Sequence, residues 1–150
     1  QMRARIASRI GAAFAGHDLA RLVAAVLEAD GYRTAVSPPG PDGGIDILAG
    51  RGLTGLDGTR LTVQVKSGDI LADHPTLQQL LGAMSGNGSE SGLLVAWGGA
   101  TRAVRAGVAG MWFRVRIWEA ADLVEAVLDC HDRLPLDIRD RLGLRRIWIC

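Results

Sequence analysis

Hydrophobic positions along the chain switch between two periods. Leu19, Leu22, Val23, Val26 and Leu27 recur at i, i+3, i+4, i+7 and i+8, the stripe of an amphipathic helix. The spacing predicts a helix from His17 to Asp30, ended by Gly31. Leu77, Leu80, Leu81 and Met84 repeat it after Asp73 and Pro75, and Gly86-Asn87-Gly88-Ser89 breaks it. A helix capped by Thr101 runs to about Gly110, another with Leu123, Val124, Val127 and Leu128 runs from about Ala120 to His131, and a short one follows Pro135. Between them the chain reads as strands. Tyr32 to Val36 is short and is stopped by Ser37-Pro38-Pro39-Gly40-Pro41. Gly92 to Trp97 is an unbroken apolar run, as in a buried central strand. From Phe113 to Trp118, Phe113, Val115 and Ile117 alternate against Arg114 and Arg116.

The remaining strands carry the candidate chemistry. Successive strand residues point to opposite faces. Leu61, Val63 and Val65 therefore share one face, and Thr62, Gln64 and Lys66 share the other. In the strand before, Ile45, Ile47 and Ala49 line one face and leave Asp46 opposite. Asp42-Gly43-Gly44 is the turn into that strand, a position that suits Asp42, and Arg51 to Thr59 reads as a glycine-rich hairpin loop. If the strands pair as a hairpin, Asp46, Gln64 and Lys66 converge on one polar face, a candidate metal and phosphate site; sequence alone does not fix the register. The element order is that of an α/β protein, a mixed β-sheet flanked by helices.

Composition narrows this. A chain of 150 residues, 48% hydrophobic, is one domain's worth with a real core. No apolar run approaches the roughly 20 residues of a membrane helix, and no leader is recognisable, so a cytoplasmic protein with no membrane partner is expected. Cys130 and Cys150 lack disulfide-framework or metal-site spacing, and Cys130 is expected to pack as a small apolar residue. Trp97, Trp112, Trp118 and Trp148 are expected to pack as well. The net charge of +1 does not announce a nucleic-acid binder. Its distribution is more telling, because Arg102, Arg105, Arg114 and Arg116 are the only charges between Ser91 and Trp118. Arg139, Arg141, Arg145 and Arg146 form a second cluster. Either could meet phosphates. Lys66 is the only lysine among 17 Lys and Arg, a compact charge where arginine serves elsewhere. The expected organisation is a helical connector over residues 1–16, a catalytic domain over 17–131 and an extension over 132–150 packed on that domain.

In that order, with those residues in those places, the chain resembles the Mrr-like branch of the PD-(D/E)xK restriction-endonuclease superfamily over roughly residues 15–130. The family's Asp-Gly-Gly-Ile-Asp stands as Asp42 to Asp46, its Gln-x-Lys as Gln64-Val65-Lys66, and its first helix as Leu19 to Tyr32. The resemblance implies an αβββαβ core and metal-dependent cleavage of double-stranded DNA in restriction of foreign, including methylated, DNA. Magnesium is the implied ion, with manganese able to substitute. Asp46, the Gln64 amide and the Val65 carbonyl would hold it, and Lys66 would stabilise phosphate charge or orient the attacking water. Asp18 stands where the family's first helix often carries a longer glutamate. Arg102, Arg105, Arg114 and Arg116 are candidate DNA contacts. Cutting both strands implies a homodimer, and base readout implies a further recognition domain or subunit. Two other readings stay open: a non-catalytic binding module on this fold, and a repair or junction-resolving nuclease.

Overall fold

The chain opens with α1 (Met2–Ala13) and α2 (His17–Ala29), continues through β1 (Tyr32–Val36), β2 (Ile45–Arg51) and β3 (Asp57–Lys66), and then alternates. The later elements are α3 (His74–Asn87), β4 (Ser91–Ala96), α4 (Arg102–Ala109), β5 (Val115–Trp118), α5 (Ala120–Cys130), a 3-10 turn (His131–Arg133) and α6 (Leu136–Leu142). This computed structural model describes residues 1–40 and 44–144, the side chain of Ile45 excepted. The expectations for Asp42 and for Arg145, Arg146, Trp148 and Cys150 fall outside the described residues.

Local chemistry sets the helix ends. Asp73 accepts from the Thr76 N–H and Pro75 occupies the first turn of α3, while Gly88 closes it at φ 65°. Thr101 accepts from the Val104 N–H to start α4. The Asp122 carboxylate accepts from the Glu119 N–H at 2.8 Å to start α5.

The five strands lie in the order β1-β2-β3-β4-β5. The first three are antiparallel, and β3, β4 and β5 are parallel. Two apolar layers cover the sheet. On one face, α1, α2 and α5 bury Ile47, Val63, Val65, Leu93 and Val95. On the other, α3 and α4 cover Leu94, Ala96 and Val115 with Leu77, Leu80, Met84, Val104 and Val108. Helices on both faces explain the unbroken apolar run of β4.

Three details differ from the periodic reading. The hairpin loop is shorter, because Arg51 pairs with Asp57 past a bulge. There the hairpin folds closely on itself: a Cβ at Gly50 would lie 1.9 Å from the Gly55 carbonyl oxygen. In addition, β5 starts only at Val115, and Phe113, expected to alternate inward, is 93% exposed. The Met111 carbonyl accepts from both Arg114 and Val115 N–H groups, making a turn where the alternation suggested a strand. The segment expected as a connector forms α1, whose Ile6 and Ile10 are buried in the main core. Arg3 pairs α1 to Glu125 of α5, which holds that carboxyl below its usual range. Cys130 is buried, as expected, and burial pushes its thiol pKa up. Among the described residues no helix is long and apolar enough to cross a membrane.

Candidate active site

The register of β2 on β3 puts Asp46 opposite Gln64, between the pairs Ile45–Val65 and Ile47–Val63. Directly opposed antiparallel residues share a face. Lys66, two residues beyond Gln64 and paired with Ala96 of β4, stands on that face as well. The intervening Val63 and Val65 are buried in the core on the other side. One alternating strand thus secures the sheet with one set of side chains and presents polar groups with the other.

Gln64 is only 5% exposed, and with Thr62 and Thr76 it is one of three buried polar residues among the described residues. The Thr62 hydroxyl bonds the Ser89 hydroxyl at 2.6 Å, and the Thr76 hydroxyl donates to Asp73 at 2.9 Å. Among the described residues, no side chain hydrogen-bonds the Gln64 amide. Its amide stands beside Asp46 on the polar face of the sheet, where the oxygen can meet a bound species. Asp46 beside it is half-buried.

Beyond Lys66 the chain leaves the sheet and returns. The Trp97 N–H donates to the Lys66 carbonyl at 3.0 Å. Six residues later Ala72 bridges Ala100 in parallel, donating to Gly99 and accepting from Thr101. Gly98 permits the loop between: a Cβ there would lie 2.6 Å from the Ile70 carbonyl oxygen and 2.7 Å from the Asp69 carbonyl carbon. This return brings Asp73 within the field of Lys66. The Thr76 hydroxyl and N–H hold the Asp73 carboxyl below its usual range, and the Lys66 ammonium adds to the effect. From sequence Asp73 is only a helix start; nothing local signals its nearness to Lys66.

Asp18 lies in the first turn of α2, the helix over the opposite face. Its carboxylate accepts from Arg141 at 3.0 Å. Arg141 also donates to the Ala13 carbonyl and lies 4.4 Å over the Phe14 ring, so one arginine of the C-terminal cluster is committed to tying α6 to α2. The other cluster is divided. Arg102 and Arg105 start α4, at the end of the sheet where Lys66 lies. Arg102 is exposed, and Arg105 is bound to Glu119 at 2.7 Å and to the Ala100 carbonyl. Arg114 and Arg116 enter β5 at the other end, with Arg116 stacked 3.5 Å over Trp112.

Among the described residues, no three His, Cys, Asp or Glu side chains gather as a metal site. The donors at hand are one carboxylate, one amide oxygen and backbone carbonyls. These are hard oxygens suited to magnesium or manganese, not to zinc.

Residues 12–127 match the family model described as "Restriction endonuclease", the Mrr catalytic domain. No curated protein matches the sequence. Eleven solved chains match. One is the "DNA modification-dependent restriction endonuclease AspBHI", with a TM-score of 0.65 and 14% identity over 94% of this chain and 38% of that chain. At that identity the likeness is one of fold, and the chain spans well under half of that relative's length.

Proposed function

Because the chain belongs to the Mrr catalytic-domain family of restriction endonucleases, we propose that it is a metal-dependent endonuclease that hydrolyses phosphodiester bonds of double-stranded DNA. The observation that carries this reading is the pairing of Asp46 with Gln64, with Lys66 on the same face and the buried Gln64 amide offered to no described side chain. A pure binding module gives no reason for that set.

The donors fit a magnesium ion: the Asp46 carboxylate, the Gln64 amide oxygen and the Val65 carbonyl would hold it. When bound, the ion lowers the pKa of a water and neutralises charge growing on the phosphate. Lys66 donates to a non-bridging oxygen of the scissile phosphate, where negative charge builds as water attacks. Asp73, fixed by Thr76, lies within the field of the Lys66 ammonium and complements its charge. Arg102, exposed at the same end, meets a neighbouring backbone phosphate and fixes the duplex without reading sequence. Asp18, committed to Arg141, serves the packing of α6 on α2 and takes no part in the reaction.

One carboxylate is a weak charge set for a divalent ion, so substrate phosphates complete the binding. Restriction of foreign DNA is the proposed role, with a second copy supplying the site for the other strand. The test is incubation with supercoiled plasmid, methylated and unmethylated, in magnesium, manganese or EDTA. Cutting that requires the metal supports the reading, and preference for the methylated plasmid assigns the target. Retained binding with no cutting under every condition would overturn it in favour of a binding module.

A further inference from the structure

The chain has only seven aromatic residues, and four of them line one cavity. Tyr32, Trp112, Phe113 and Trp118 surround a space of ≈ 580 Å³ where the C-terminal halves of α2 and α5 meet the first residues of β4 and β5. That size suits a small-molecule site. It is far from Asp46, Gln64 and Lys66, on the other face and at the other end of the sheet. Leu61 lines the cavity and Lys66 ends the same strand, five residues or ~17 Å further on.

The mouth is pre-arranged. Trp112 is 60% exposed and Phe113 93% exposed, on a turn held by the Met111 carbonyl and by the Gly92 N–H donating to Arg114 at 2.7 Å. Two neighbouring exposed aromatic rings on a fixed turn make an apolar patch of the kind that marks a binding site, with Arg116 covering one face of Trp112. The charges favour an anion. Arg114, Arg116 and Arg133 line the cavity with Asp30 and Asp129, and Asp30 is already neutralised by Arg51 at 2.9 Å. Three arginines thus line the cavity with two carboxylates, one of them paired with Arg51, while Arg116 stacks on Trp112 and Arg133 donates to the Ala29 carbonyl. Flat aromatic walls stack a planar ring, and guanidinium groups take a phosphate.

We propose that this cavity is a nucleotide-binding site, separate from the candidate active site. The base stacks against Phe113 and the face of Trp112 that Arg116 does not cover, and its phosphate meets Arg114 and the edge of the Arg116 guanidinium. A free nucleotide and a nucleotide within a DNA strand share this chemistry.

The test is a titration followed by tryptophan fluorescence in EDTA. The probes are deoxynucleoside monophosphates, the matching nucleosides, inorganic phosphate and single-stranded oligonucleotides. A saturable change with the monophosphates is expected, at least tenfold weaker with nucleosides and absent with phosphate alone. Phe113→Ala and Arg116→Ala should each weaken binding at least tenfold, and Lys66→Ala should bind like the parent. Oligonucleotide binding without mononucleotide binding, lost in the same two variants, would assign the site to a nucleotide within a strand and still support it. No binding by any probe, unchanged binding in Phe113→Ala and Arg116→Ala, or loss only in Lys66→Ala would overturn it. Phe113 is so exposed that its truncation leaves the fold intact, and the assay needs no cleavage, so its failure is separable from failure of the nuclease reading.

Discussion

The two ends of the sheet are built from the same strands but furnished in opposite ways. At the end where β3 and β4 finish, Asp46, Gln64, Lys66 and Asp73 gather with few aromatic neighbours, and the polar groups rise from alternate positions of buried strands. At the end where β4 and β5 begin, the aromatic residues and the arginines of β5 gather around an open cavity. The first arrangement fixes small, hard oxygen donors within strand geometry; the second offers broad faces and planar cations on a turn. One end is suited to holding an ion and a reacting phosphate, the other to holding a flat anionic ligand. The difference is that between chemistry and recognition.

Substitutions at each end should therefore separate the two. Asp46→Ala is expected to remove metal-dependent cleavage altogether while leaving nucleotide binding at the aromatic end unchanged; residual magnesium-dependent cutting would break the comparison. Lys66→Ala should reduce the cleavage rate on the order of 10²- to 10³-fold, as for loss of one charge-stabilising donor. Gln64→Glu sharpens the assignment, since a restored carboxylate should tighten magnesium binding without DNA by about tenfold or more. Calorimetry on both proteins, with and without DNA, reads it directly, and equal affinity in all four cases would contradict the donor set.

Smaller effects follow from the supports. Gly98→Ala places a methyl against the Ile70 backbone and should cost about 1–3 kcal/mol of stability, read by thermal unfolding. It should also slow cleavage by less than Lys66→Ala does, because it displaces the loop that carries Asp73. The smallest effect concerns acid. Glu125 is held below its usual range by Arg3, so its contribution is full above the ordinary carboxylate pKa and is lost as pH falls through the lowered native value. Glu125→Gln should therefore lower the urea midpoint slightly at pH 7, leave it like the parent's near pH 3, and so flatten the fall between about pH 5 and 3.

How legible each end was in the sequence follows from how local its determinants are. The residues of α2, β1 and α4 announce themselves by periodicity and caps, and the facing of Gln64 and Lys66 follows from strand alternation alone. The approach of Asp46 to Gln64 required the register, which only the folded hairpin supplies. Asp73 was invisible as a neighbour of Lys66, because the loop returns through a long-range bridge between Ala72 and Ala100. The arginines between Ser91 and Trp118 read as one patch, but Arg102 and Arg105 start α4 while Arg114 and Arg116 lie beyond its end, at the start of β5. Phe113 followed the alternation of a strand, yet the Met111 carbonyl draws that segment into a turn.

The most direct measurement is the single-turnover cleavage rate of one duplex by the parent, Lys66→Ala and Phe113→Ala proteins in magnesium. With protein in saturating excess for each variant, the account predicts a rate about 10²- to 10³-fold lower for Lys66→Ala and within about twofold of the parent for Phe113→Ala, whose ring lies at the other end of the sheet. Parental activity in Lys66→Ala would contradict the assignment of the site.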